Sequence, residues 1–139
     1  MKDFKNILVA VELTQEVDER IINKAVGLTK NENESLHLVH VTEEAYTPSR
    51  FAKSLHEYEA GIRRKMSELG TKFNVRKMNQ FVKTGNVEKE IFKLLKFIDA
   101  DLLVLGNHGR HGIESLFRAN HATSLLKDAD CDVLAVKVA

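Results

Sequence analysis

The chain has 139 residues, the size of one domain, and its 43% hydrophobic and 29% charged residues exclude a disordered or fibrous chain. Twenty-one basic against 20 acidic residues leave a net charge of +1, without the basic excess of a nucleic-acid binder. The apolar runs at 7–11 and 102–105 are far shorter than the roughly 20 residues that cross a bilayer, and residues 1–6 lack the apolar stretch of a signal peptide. The single Cys131 excludes an intrachain disulfide and a multi-cysteine metal site. A soluble, cytoplasmic protein with no nucleic-acid and no membrane partner is expected.

Residues 6–12 form an apolar, β-branched run without alternation, as in a strand buried on both faces. Over 15–30, Val17, Ile21, Ile22, Ala25 and Val26 recur at helical spacing, with Thr14 as N-cap. Residues 36–42 predict a second strand. A loop holding the only proline, Pro48, leads to a long helix whose Phe51, Leu55, Tyr58, Ile62, Met66 and Leu69 form one stripe, with Gly70 as its C-cap. Residues 74–83 predict a more polar strand, suited to a sheet edge. Gly85-Asn86 turns the chain into a helix carrying Val87, Ile91, Leu94, Leu95 and Ile98. Asp101 opens the strand 102–105. A glycine-rich loop at 106–112, a helix over about 113–128 and a strand at 133–138 complete the chain.

Strands alternating with helices of this length predict βαβ units and a parallel sheet covered on both faces. Ligands of such sheets sit beyond the carboxyl ends of the strands, where strand order reverses. Glycines follow the fourth strand rather than the first, so the ligand loop is sought at Gly106–Gly112, facing Val11-Glu12-Leu13. Glycines without Cβ let backbone amides close on an anion, the next helix adds a positive dipole end, and Arg110 adds charge. A tight strand-to-helix turn without ligand explains the same glycines equally well. No Gly-x-Gly-x-x-Gly follows the first strand, no Gly-x4-Gly-Lys-[Ser/Thr] occurs, and Glu12 stands alone where a phosphoryl receiver needs an acidic pair.

Asn6-Ile7-Leu8-Val9-Ala10-Val11-Glu12, Leu38-Val39-His40-Val41, Gly85, Asp101 to Gly106, His108-Gly109-Arg110, Gly112 and Cys131 to Val136 together resemble the universal stress protein family over essentially the whole chain. The resemblance implies one α/β domain over 1–139 of the adenine-nucleotide alpha hydrolase-like fold. Its five parallel strands would run in the order 3-2-1-4-5, with two helices on each face. It implies a cytoplasmic stress-response homodimer joined through the last strand at Val133, Leu134, Ala135, Val136 and Val138. ATP-binding members carry Gly-x2-Gly-x9-Gly-[Ser/Thr]; Gly106 and Gly109 match, the later pair falls on Ala119-Asn120, and Glu12 replaces the usual Asp.

By that resemblance, ATP or another adenine nucleotide, with Mg2+ as an optional companion, would occupy the carboxyl edge. Gly106, Gly109, Arg110, Gly112 and Asn120 would hold phosphates, Glu12 the ribose and the Val41 backbone the adenine. Val11, Leu13, His108, Ala119 and His121 would complete the site. No catalytic residue is assigned, and any ATP hydrolysis would be slow. The alternative is a motif-degenerate member that does not bind ATP and acts as an interaction dimer with a protein partner.

His37 and His40 differ by three on a strand and cannot chelate together. His108, His111 and His121 with Glu114 match no standard ligand spacing, so no metal is assigned. Cys131, between Asp130 and Asp132, reads as a buried, inert thiol.

Overall fold

The structure, a computed structural model, describes residues 4–29, 32–43, 52–107 and 119–138; for 32–33, 52–55 and 119–123 it describes the backbone alone. The apolar runs become β1 (Ile7–Ala10), β2 (Leu36–Thr42), β3 (Gln80–Thr84), β4 (Leu102–Asn107) and β5 (Asp132–Lys137). Between them lie α1 (Gln15–Val26), the short α2 (Glu32–Ser35), α3 (Ala52–Lys72), α4 (Val87–Phe97) and α5 (Ala119–Asp128). All strands pair in parallel, in the expected order β3-β2-β1-β4-β5. No helix among the described residues is long and apolar enough to cross a membrane.

Every residue of β1 and β2 is buried, because helices cover both faces of the sheet. On one face Ile21, Ile22 and Ala25 of α1 and Met66 and Leu69 of α3 cluster with Ile7, Val9, Leu38 and Val104. On the other, Ile91, Leu94 and Leu95 of α4 and Leu125 of α5 cluster with Leu8, Val39, Leu103 and Leu105. Asp101 ties the start of β1 to that of β4. Its carboxylate accepts from the N–H groups of Lys5 and Asn6 at 2.9 and 2.8 Å, and its own N–H donates to Asn6 O at 2.9 Å.

Gly70 is not the C-cap of α3, which runs on to Lys72. Asn74, at φ 56°, closes the helix instead: its N–H bonds Thr71 O, and Val75 N–H bonds Gly70 O at 2.8 Å. This is a Schellman pattern with asparagine in the left-handed position. Gly70 serves close packing, since a Cβ there would run into the Gln80 side-chain amide. That amide donates to Val75 O at 3.0 Å. α4 ends in the same way, with Asp99 at φ 54° and Ala100 N–H on Leu95 O at 2.9 Å. β3 begins at Gln80 rather than 74, because the close of α3 and a 3₁₀ turn, Lys77–Asn79, occupy the intervening residues.

Thr14 stands at the N-cap of α1 but makes no side-chain bond to the helix. Asn86 does cap α4, its Oδ1 accepting from Lys89 N–H at 2.9 Å. Gly85 delivers it at φ 143°, a conformation that side-chain-bearing residues rarely adopt. Gly85→Ala is expected to lower unfolding free energy by about 1–3 kcal/mol, and Asn86→Ala by about 1 kcal/mol. Urea unfolding monitored by circular dichroism checks both.

Candidate functional site

The chain runs outward from β1 to β2 and β3 and then returns to β4, so strand order reverses between β1 and β4. In open α/β sheets such a reversal is where a ligand crevice forms, at the carboxyl edge of the strands. The register sets Ala10 beside Val39 and Val9 beside Val104, which brings Val11 level with Gly106 and Glu12 level with Val41. At this height β1 leaves the sheet. Val11 N–H still reaches Val39 O at 2.8 Å, but Glu12 N–H turns to Asp18 Oδ1 at 2.8 Å. Leu13 then takes φ 62°, uncommon for a residue with a bulky side chain.

The Glu12 carboxylate lies against the end of β4. A Cβ on Gly106 would stand 3.1 Å from Glu12 Oε2 and 3.0 Å from Ile21 Cδ1, so only glycine brings the β4 backbone this near without displacing either. His40, buried, braces the same end: its Nδ1 is 3.0 Å from Val11 O. A carbonyl only accepts, so that nitrogen carries the proton. Burial holds the His40 pKa below its ordinary 6.5 despite the opposing influence of Val11 O and the Glu12 charge, and the ring is neutral at pH 7. His37 makes the matching contact at the other end of β1, with Nδ1 3.3 Å from Ile7 O and 3.1 Å from Ser35 O. The two histidines brace a strand and share no ligand.

Asp18 is the residue that the sequence reading passed over. It is 1% exposed, and the amides of Glu12, Leu13 and Thr14 all turn to its carboxylate. Burial, with the neighbouring Glu12 charge, raises its pKa from 3.8 to about 6 against the lowering effect of those amides. The available signal was an acid on the apolar stripe of α1, at helical spacing from Ile21, Ile22 and Ala25. Beside it, between α1 and α3, lies a cavity of about 310 Å3 lined by Leu13, Asp18, Lys65, Glu68 and Lys72 among others. Lys72 pairs with Glu19 at its margin.

Val11, Glu12 and Gly106 therefore come together as expected, Val41 is buried at the same edge, and Leu13 packs against the core. His108, Gly109, Arg110 and Gly112 lie outside the described residues, as do His111 and Glu114. Ala119, Asn120 and His121 open α5 and are described in backbone only. Among the described residues, no three His, Cys, Asp or Glu side chains gather to hold a metal ion. Cys131 is half-buried rather than buried; burial, then Asp132, Asp101 and Asp130, raise its thiol pKa. β5 is an edge strand with Val133, Leu134 and Ala135 half-buried, as is Val138 just past its end, whereas the Val136 side chain belongs to the core.

Asp18 holds its proton more tightly in the folded chain than in the unfolded one, so stability falls as pH rises from about 4 to about 6 and is level above. The rise from 3.8 to about 6 corresponds to about 3 kcal/mol. Relative to Asp18→Asn, the wild type should lose about that much over this window. Urea unfolding at a series of pH values measures it, and a difference independent of pH would contradict the assignment.

The profile of the Universal stress protein family matches residues 3–137. The chain is 30% identical to universal stress protein A homolog 2 of Coxiella burnetii, over 99% of this chain and 98% of that protein. It superposes on the universal stress protein UspA from Lactobacillus plantarum with a TM-score of 0.74 at 16% identity, covering 98% of this chain and 99% of that one. A universal stress protein solved in complex with cAMP superposes with a TM-score of 0.64 at 16% identity, covering 98% of each chain. These likenesses establish a shared fold, the adenine-nucleotide alpha hydrolase-like sheet. With the family profile spanning almost the whole sequence, the chain belongs to the universal stress protein family.

Proposed function

We propose that this chain is a cytoplasmic stress-response protein acting as a nucleotide-responsive module, with an adenine nucleotide at the reversal between β1 and β4. The observation that carries the reading is the apposition of Glu12 and Gly106 across that reversal. A nucleoside phosphate needs an acceptor for its sugar hydroxyls and, next to it, backbone free of side chains for its phosphates. Glu12 would supply the first, and Gly106 with Gly109, Gly112, Arg110 and Asn120 the second. The Val41 backbone would meet the adenine, with Val11, Leu13, His108, Ala119 and His121 around it. The relative solved with cAMP supports an adenine nucleotide as the ligand class.

The Glu12 carboxylate at this edge favours Mg2+ as a companion of a triphosphate. Asp18 and His40 are engaged in holding backbone, so hydrolysis of ATP would be slow. A second reading, an interaction dimer that binds no ATP, is favoured by Ala119-Asn120 where nucleotide-binding relatives carry glycine and a hydroxyl residue. Calorimetric titration of ATP, with and without Mg2+, into nucleotide-free protein separates the two. Expected is micromolar binding, weakened about tenfold or more by Glu12→Ala and by Gly109→Trp. No heat up to millimolar ATP from folded protein would sink the nucleotide reading and leave the interaction dimer.

Residues 1–139 are read as one domain, paired with a second copy through β5. Val138 N–H bonds Asn107 O, so alternation turns the peptide groups of Val133, Ala135 and Lys137 outward, where an antiparallel β5 can meet them. Sedimentation should show a dimer for the wild type and a folded monomer for Ala135→Pro, which removes one outward donor. A monomeric wild type would overturn this pairing.

A further inference from the structure

We infer that the edge of β3, which pairs with no further strand among the described residues, forms together with α4 a docking groove for an extended segment of a partner protein that carries an apolar anchor among acidic residues. The site lies at the opposite edge of the sheet from β5, one strand beyond Val41, and uses none of the residues assigned to the nucleotide, so it does not rest on the function proposed above.

Three observations converge there. The first is apolar and shaped: a groove of about 280 Å3 is lined by Phe81, Lys83, Glu90, Lys93, Leu94 and Phe97. Phe97 is 78% exposed, yet it is held in place by an edge-to-face contact with Phe81, ring centroids 6.5 Å apart at 87°. A fixed, exposed aromatic ring beside a groove is the kind of anchor that protein interfaces bury. Met78, 72% exposed, stands in the turn just before the strand. The second is backbone: Gly85 N–H bonds Thr42 O, so alternation directs the peptide groups of Phe81 and Lys83 toward β2 and those of Val82 outward. An added strand would find its ladder there.

The third is charge, and it selects the occupant. Lys83 stands 6.0 Å over the Phe81 ring, and Lys93, with its side chain 73% exposed, meets Glu90 at 3.3 Å. Lys89 is exposed on the same helix, whereas Lys96 lies on its other side with Asp99, Asp128 and Asp130. One carboxylate at the groove against two lysines leaves a positive rim, which recruits an acidic segment.

Panning the full-length protein against a display library of random octapeptides tests this. Phe97→Ser, Lys93→Glu and Val82→Pro are panned in parallel, after each is shown to keep the wild-type circular dichroism and melting curve. The wild type should enrich octamers with one aromatic or aliphatic residue flanked by Asp or Glu. The synthesised peptides should bind in the micromolar range and lose about tenfold or more on each variant. No enrichment, enrichment of basic octamers, or peptides that bind all variants equally would overturn the proposal. If Val82→Pro fails to fold, a backbone N-methylated copy of the selected peptide removes the same hydrogen bonds, and unchanged affinity would count against the groove. Self-association of the wild type that Phe97→Ser abolishes would assign the face to a contact between copies and overturn the partner segment.

Discussion

The place where β1 stops governs the whole carboxyl edge. A strand buried on both sides must find a partner for each of its peptide groups, and at Glu12 the neighbouring strand no longer supplies one. Asp18 supplies it from the first turns of α1, and the amides of Leu13 and Thr14 follow. A carboxylate buried this deeply is costly alone, and three amides from one loop offset part of that cost. With His40 fixing the Val11 carbonyl from β2, the end of β1 is pinned from both sides. Glu12 has its place against Gly106 for this reason, although neither Asp18 nor His40 faces the crevice through its own chemistry.

Among the described residues, β5 and β3 are the two edges of the sheet, and they differ in character. β5 carries Val133, Leu134 and Ala135 half-buried, an apolar margin with its one core residue, Val136, turned inward. β3 carries Gln80, Lys83 and Thr84, and its apolar content is confined to Phe81 and Val82. Lysine on an edge discourages indiscriminate strand addition. Edges so unlike in charge and hydropathy will not exchange partners, which keeps the two surfaces separate in whatever they bind.

Much of this was legible in the sequence, and the misses have common physical causes. β1, β2 and β4 read correctly because unbroken apolar runs have few other uses in a chain of this length. The stripe from Ile62 to Leu69 read correctly because helix period and burial coincide. Val11, Glu12 and Gly106 were placed together by topology alone. Gly70 was misjudged because glycine serves both left-handed caps and close approaches, and here Asn74 and Asp99 take the caps. Asp18 was missed because the stripe was searched for apolar residues, and an acid that bonds backbone from within it carries no periodic signature. The start of β3 was set too early because a 3₁₀ turn with a buried Val75 before it mimics strand alternation.

The clamp that Asp101 places on Lys5 and Asn6 joins residues 96 and 95 positions apart. Contacts of such span close late, since the entropy of a long loop is lost before they form. During synthesis, β1 can pair with β2 soon after both emerge, but its other edge has no neighbour until Leu102–Asn107 has left the ribosome. Ile7 to Ala10, all fully buried in the finished fold, therefore line a bare apolar margin on the nascent chain until β4 has emerged. A protein of this design depends on being shielded, or made quickly, over that interval, because such a margin invites strand pairing with other chains.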